Sequence, residues 1–339
     1  MDKDGVEQQT ALDPRATRPV RPLHIKAVVN AGAGITPAGK RADIAGSLEQ
    51  AFAQHGLQAE IELVQAEEFE AAVERAASGP WDAVAAGGGD GSISSAARIL
   101  ARADKPMAVL PMGTWNYFAR LLNIPLDLDG AVAVMAAGRF GPVDAMEVNG
   151  RFFVSHCTLG IHPRFVRERV RLQHSRGWYK PLAIVWALVK SFVRYPVLLV
   201  EVQHEARREV LRTPFVMAGN SLSALNPLTV PTHLASLSDG LLALILGRRL
   251  GRMGLMASAL HTFHGRLDPE KDFRLILVPE CAVRVNRRRV RATLDGELTW
   301  LTPPLRFRIL PHALTLLLPE SAAKAKAQQA STGPHGPAV

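Results

Sequence analysis

Two glycine turns carry the residues best suited to chemistry. The first, Gly87-Gly88-Gly89-Asp90-Gly91-Ser92, follows the apolar run Ala83–Ala86 and precedes a helical pattern reaching Arg102. The second, Pro111-Met112-Gly113-Thr114-Trp115-Asn116, follows the apolar run Met107–Leu110. With no Cβ in the way, consecutive backbone N–H groups can face the oxygens of a polyanion. A helix that begins there adds its positive end. Asp90 is not expected to bind phosphate directly, because like charges repel; its carboxylate is expected to hold a metal or take a proton. An ordinary strand-to-helix turn also uses glycine, but a second glycine-hydroxyl turn one strand later favours a binding site. In open α/β sheets such turns gather at the carboxyl ends of strands, where ligands sit.

The other candidates are acids in otherwise apolar or glycine-rich places. Asp239 lies in Ser236-Leu237-Ser238-Asp239-Gly240-Leu241, and Asp295 and Glu297 lie in Leu294-Asp295-Gly296-Glu297. Both aspartates precede a glycine, and a plain β-turn also accounts for them.

The elements that must position these groups follow from periodicity. Strands are expected at 24–29 and 59–64, with helices over 43–55, closed by Gly56, and over 67–77. Strand and helix alternating in this way, up to the two apolar runs, predict a parallel sheet between helix layers. A further short helix is expected over 128–138. From Gly141 the pattern changes. Residues 143–148, Asn149-Gly150 and 151–154 read as a hairpin. Strand-like segments follow at 197–203, 209–218, 241–247, 273–279, 281–285 and 289–294. The expected organisation is a disordered arm over 1–22, an α/β domain over 23–141, whose glycine turns suit a polyanion, and a β-rich, sandwich-like domain over 142–319. A low-complexity disordered tail fills 320–339.

Composition narrows the partners. The chain has 339 residues, 40 Lys and Arg against 31 Asp and Glu, and a net charge of +9. Such a surface favours nucleic acid, anionic membrane or phosphorylated ligands. Asn286-Arg287-Arg288-Arg289 reads as a solvated strand-turn, and no aromatic-interleaved platform or helix-turn-helix pattern supports nucleic acid. The run Arg164–Arg176, followed by the apolar, tryptophan-bearing stretch to Tyr195, suits an anionic membrane surface; a solvated basic face before a core helix accounts for it equally. Cys157 and Cys281 sit in apolar runs and read as buried reduced thiols. The start, Met1-Asp2-Lys3-Asp4-Gly5, has no apolar signal core, so a cytoplasmic protein, associated with the inner face of the membrane through that segment, is expected.

Taken together, Gly88-Gly89-Asp90-Gly91-Ser92 and Leu110-Pro111-Met112-Gly113-Thr114-x-Asn116-x-Phe118-Ala119 resemble the catalytic domain of the diacylglycerol kinase and bacterial lipid kinase superfamily. Sphingosine and ceramide kinases share that domain, and the nicotinamide-dinucleotide kinases share the first motif. The resemblance implies a first domain of NAD-kinase-like α/β fold. It also implies ATP bound by Asn30, Gly32, Gly87 to Ser92, Gly113, Thr114 and Asn116. Relatives usually carry Asn-Pro-x-Ser-Gly at the first loop; here Asn30, Gly32 and Gly34 keep part of that pattern. The aspartate-glycine-leucine segment implies Mg²⁺ held by Asp239 with Ser236 and Leu241, and the aspartate-glycine-glutamate turn makes Glu297 the proton acceptor, with Asp90 as the second catalytic candidate. Trp115 is expected to pack, with stacking on adenine the alternative. The expected activity is ATP-dependent phosphorylation of a hydroxyl on a diacylglycerol-like lipid, with a homodimer allowed. A dinucleotide kinase is the alternative within enzymes, and a nucleotide- or lipid-binding protein without catalysis is the alternative outside them.

Overall fold

The apolar runs before the two glycine turns are neighbouring strands of one parallel sheet. The computed structural model describes residues 22–32, 41–160, 163, 166, 197–205, 207–220, 240–247 and 273–319. Strands β1 (His24–Asn30), β2 (Gln58–Val64), β3 (Ala83–Gly88) and β4 (Met107–Pro111) pair in parallel in the order β2-β1-β3-β4. In β3 and β4 every residue is buried, as a strand covered on both faces requires. The cover is helical. Helices α1 (Arg41–Gln54), α2 (Phe69–Ala77), α3 (Asp90–Arg102), α4 (Tyr117–Leu121) and α5 (Leu128–Ala137) lie between the strands in sequence. Residues Phe69, Ala72, Val73 and Ala76 of α2 recur at three- and four-residue spacing and are buried, and α2 packs on α3. Gly56 closes α1 at φ +68°, with Leu57 N–H donating to Phe52 O, so its expected role as a helix stop is met.

The second sheet is wholly antiparallel. It runs β12 (Phe273–Val278), β11 (Leu242–Gly247), β10 (Phe215–Gly219), β7 (His156–Gly160), β14 (Val290–Leu294), β15 (Glu297–Leu301). The first sheet does not stop at β4. It continues through β16 (Leu305–Leu318), β13 (Glu280–Val285), β8 (Leu198–His204) and β9 (Arg207–Thr213), while β5 (Arg139–Val148) and β6 (Arg151–Phe153) branch from β16. Thus β5 crosses position 141, and the C-terminal strand β16 lies parallel to β4 at Leu316 and Met107. Leu159, Val216 and Leu244 of the second sheet share one core with Val200, Val283 and Phe307 of the first. That shared core makes a sandwich of the β-rich part.

The hairpin expected at Asn149-Gly150 is present as β5–β6, with φ +49° and +77° at its two turn residues. One expected strand is corrected: 209–218 is two strands, broken at Pro214, whose ring lacks the N–H a ladder needs. Three strands were not anticipated, β7, β15 and β16. The basic run 286–289 is an exposed turn between β13 and β14, as expected. Cys157 and Cys281 are buried free thiols, and burial pushes both well above the usual thiol range. Of residues 161–196 only Pro163 and Val166 are described, so the segment proposed for membrane contact lies outside the described residues, as do the terminal arm and tail. Among the described residues, no helix is long and apolar enough to cross a membrane.

Candidate active site

Parallel pairing sets the two glycine turns side by side. Gly88 stands opposite Pro111 in the ladder, and Met112 N–H donates to Gly88 O at 3.0 Å. The turns then touch backbone to backbone: a Cβ on Gly113 would lie 2.6 Å from Gly89 Cα. No residue but glycine fits there without moving a turn. Gly89 precedes α3 in an extended conformation and no side chain caps the helix. The first N–H groups of a helix have no intrahelical partner, so this end is open to an anion. These features fit the polyphosphate of a nucleotide.

Side chains brace the cradle. Asn30, at the end of β1, donates from Nδ2 to Ser92 Oγ at 3.0 Å and accepts Gly32 N–H on Oδ1 at 3.0 Å. In the second turn Asn116 adopts φ +50° and folds back, accepting Gly113 N–H at 2.7 Å and donating to Gly113 O at 3.0 Å. Thr114 is exposed beside it. Trp115 is exposed and stacks on Tyr117, with ring centroids 6.1 Å apart.

Asp90 has a role beyond the two expected of it. Its carboxylate accepts backbone N–H groups of Tyr117, Phe118 and Asn116, tying the first glycine turn to the second. Burial pushes this carboxyl above the ordinary aspartate value. Those N–H groups pull it back, and the nearby charge of Asp295 pushes it up again.

Glu297 reaches the cradle from the other sheet. It opens β15, and its carboxylate lies against Gly91, where a Cβ would come within 2.2 Å of Oε1. The candidate base is therefore placed at the N-terminus of the glycine-turn helix. A cleft of about 420 Å³ opens beside it, lined by Ser94, Ser95 and Arg98 of α3 and by Arg151, Phe152 and Leu298. Asp295 forms the Asp295-Gly296 turn expected of it, with φ +47° and +88°, the geometry of a tight two-residue hairpin turn.

The metal candidates are placed only in part. Ser236 and Asp239 lie outside the described residues, and Leu241 stands just before β11. Among the described residues no group of three or more His, Cys, Asp or Glu side chains is arranged to hold a metal ion. One acid near this segment escaped the sequence reading. Asp144, fully buried in β5, accepts Gly240 N–H on Oδ2 at 2.9 Å and His312 N–H on Oδ1 at 2.8 Å. Its signal was an acid inside the apolar run Val143-Asp144-Ala145-Met146.

His156 lies beneath the site, edge-on to Tyr117 at 5.4 Å, with Nδ1 2.9 Å from Ser155 Oγ. Burial pushes its pKa down to about 4. The folded chain keeps the ring neutral, while the unfolded chain binds a proton below about pH 6.5. The resulting stability is complete above that unfolded value and is lost as pH falls through about 4. Asp90 and Asp295, with raised values, act oppositely and gain stability on acidification. Thermal melting of the wild type should therefore drop further between about pH 7 and pH 4.5 than that of His156→Asn, by up to about 3 kcal/mol in stability. Parallel drops in both proteins would show that His156 does not titrate there.

A parallel α/β sheet bearing an anion cradle, joined to a β-sandwich that delivers an acid to it, defines the class of two-part fold to which this chain belongs. Residues 24–148 match the family model for the diacylglycerol kinase catalytic domain. A Pseudomonas aeruginosa protein named "Probable lipid kinase YegS-like" is 40% identical over 91 residues, 26% of this chain and 30% of that protein. A Yersinia pestis protein of the same name is 40% identical over 101 residues, 28% of this chain and 34% of that protein. The chain thus spans about a third of the length of the curated relatives it matches. The crystal structure of a diacylglycerol kinase from Bacillus anthracis superposes with a TM-score of 0.63 at 17% identity, covering 88% of this chain and 98% of that one. Another solved chain from that organism reaches 0.67 at 18% identity, and likeness at such identity shows the fold alone. Residues 24–148 are thus similar in sequence to the diacylglycerol kinase catalytic domain and to proteins named as lipid kinases.

Proposed function

We propose that the protein transfers the γ-phosphoryl group of ATP to a hydroxyl of a diacylglycerol-like or related lipid. The observation that carries this reading is the Glu297 carboxylate lying against Gly91, where an acid from one sheet meets the phosphate cradle of the other. Phosphoryl transfer asks a protein mainly for positioning and charge stabilisation. The N–H groups at the start of α3 hold phosphate oxygens, and Asn30 with Ser92 keeps the first loop against them. Asp90 fixes the second turn beside the first. An acceptor hydroxyl entering from the cleft beside Glu297 gives its proton to that carboxylate as its oxygen bonds to the γ-phosphorus and ADP leaves. Ser236, Asp239 and Leu241 are the residues that would hold a structural Mg²⁺, which would stabilise the folded chain that binds it.

The test is to incubate the purified protein with Mg-ATP and a panel of lipids, with NAD included, and to examine the products by mass spectrometry. A phosphorylated lipid is the expected product. Phosphorylation of NAD alone would make the protein a dinucleotide kinase, and no phosphorylated product would favour a binding protein.

The acceptor would be met at a membrane. The basic residues Arg164, Arg167, Arg169 and Arg171 support peripheral contact with anionic lipid. Pelleting with phosphatidylserine vesicles is expected to weaken as salt rises, because screening shortens the attraction. Replacing those four arginines with glutamine should weaken it further. Equal pelleting with neutral vesicles would remove the electrostatic component.

A further inference from the structure

Asp295 is more than its turn requires. A two-residue hairpin turn with both φ values positive needs asparagine, aspartate or glycine, and no buried charge. Yet Asp295 is only 5% exposed, and its carboxylate is fully engaged. Oδ2 accepts the Ser94 hydroxyl at 2.5 Å and Val154 N–H at 3.0 Å. Oδ1 accepts Ser155 N–H at 2.7 Å and His156 N–H at 3.1 Å. Asp295 N–H in turn donates to His156 O at 2.9 Å. Four donors fill the acceptor sites of one carboxylate. They come from two places outside the hairpin: helix α3, whose first turn is the glycine cradle, and the corner between β6 and β7.

We propose that Asp295 is a positioning residue whose buried carboxylate latches the β14–β15 hairpin to Ser94 of α3 and to the Val154–His156 backbone, so holding the Glu297 carboxylate at Gly91. Glu297 follows Asp295 by two residues, and Ser94 follows Gly91 by three, about one helical turn. The latch therefore sits directly behind the contact between base and cradle and fixes its length. Burial alone pushes the Asp295 carboxyl above the ordinary range, and its four donors offset that pressure. Neutral asparagine cannot replace it, because its NH₂ would face N–H groups that need an acceptor. This inference rests on the reading of Glu297 as the proton acceptor.

The test uses the full chain with Ser94→Ala, Ser94→Thr, Asp295→Asn and Glu297→Gln, and the double variant of Ser94→Ala with Glu297→Gln. Ser94→Ala removes one donor of four and leaves the charge satisfied by backbone, so it should fold. It is expected to lower kcat about tenfold, within the losses that small misplacements produce, with KM for ATP nearly unchanged; Ser94→Thr, which keeps the hydroxyl, should restore turnover. Combined with Glu297→Gln, Ser94→Ala should cause no additional loss, because it acts through Glu297. Multiplying losses in the double variant would overturn the proposal. Hydrogen exchange needs no acceptor. In Asp295→Asn the amides of residues 154–156 and of the 294–297 turn should exchange at least about tenfold faster, as local opening becomes easier. Unchanged exchange at the turn would refute the latch even if the lipid panel is positive. Faster exchange would support it even if the panel is negative, when only the lipid-kinase reading fails.

Discussion

Replacing Glu297 with glutamine is expected to slow phosphoryl transfer by about 10²–10⁴, the usual loss when a general base is removed. The amide keeps the size of the side chain and its contact with Gly91 but cannot take the acceptor's proton. KM for ATP should change little, because the interaction that is lost forms only as the hydroxyl attacks. The fold should be unaffected, since Glu297 is exposed. Steady-state rates with varied ATP and a fixed lipid separate the two outcomes. A large rise in KM with turnover unchanged would make Glu297 a nucleotide-binding residue instead. Near-normal turnover would move the base role to Asp90.

Gly113→Ala should act on the other half of the site. Its Cβ would stand 2.6 Å from Gly89 Cα and 2.8 Å from Asn116 Oδ1, and a backbone atom cannot swing aside as a side-chain tip can. The turns must separate or hold strain, at a cost of roughly 1–3 kcal/mol. Separation pulls the second turn from the Asp90 carboxylate and widens the phosphate cradle. If the whole cost falls on binding, ATP affinity drops about 5- to 150-fold. Calorimetric titration with ATP should show that loss, with thermal melting beside it to reveal any strain retained in the fold. Unchanged affinity and unchanged melting would mean that the two turns do not act as one site.

Much of the α/β half was legible in the chain because its signals are local. Glycines, an acid and an amide within a few residues of a strand end declare a turn whatever surrounds them, and alternating periodicity declares the strands and helices that carry it. What could not be read depends on distant partners. The C-terminal strand β16 returns to lie beside β4, a contact between Leu316 and Met107 that no local pattern encodes. Pro311 in its middle and φ +53° at His312 also argue against so long a strand, and the ladder with β5 shifts register between Leu310 and Leu314. Asp295 looked like a turn residue because the Asp-Gly pair suffices for a turn. Its four hydrogen bonds come from residues about 140 and 200 positions away. Asp144 was overlooked for the same reason, since its partners Gly240 and His312 lie 96 and 168 positions away.

The central claim is that the cradle at Gly87–Ser92 and the carboxylate of Glu297 form one site for moving phosphate onto a lipid. Transfer of label from γ-³²P-ATP into organic-phase product, by wild type and Glu297→Gln side by side, tests it most directly. The account predicts lipid-dependent label with the wild type and a loss of about 10²–10⁴ in its rate of appearance with the variant. Label that stays in the aqueous phase whatever lipid is offered, or that enters lipid equally fast with both proteins, would contradict it.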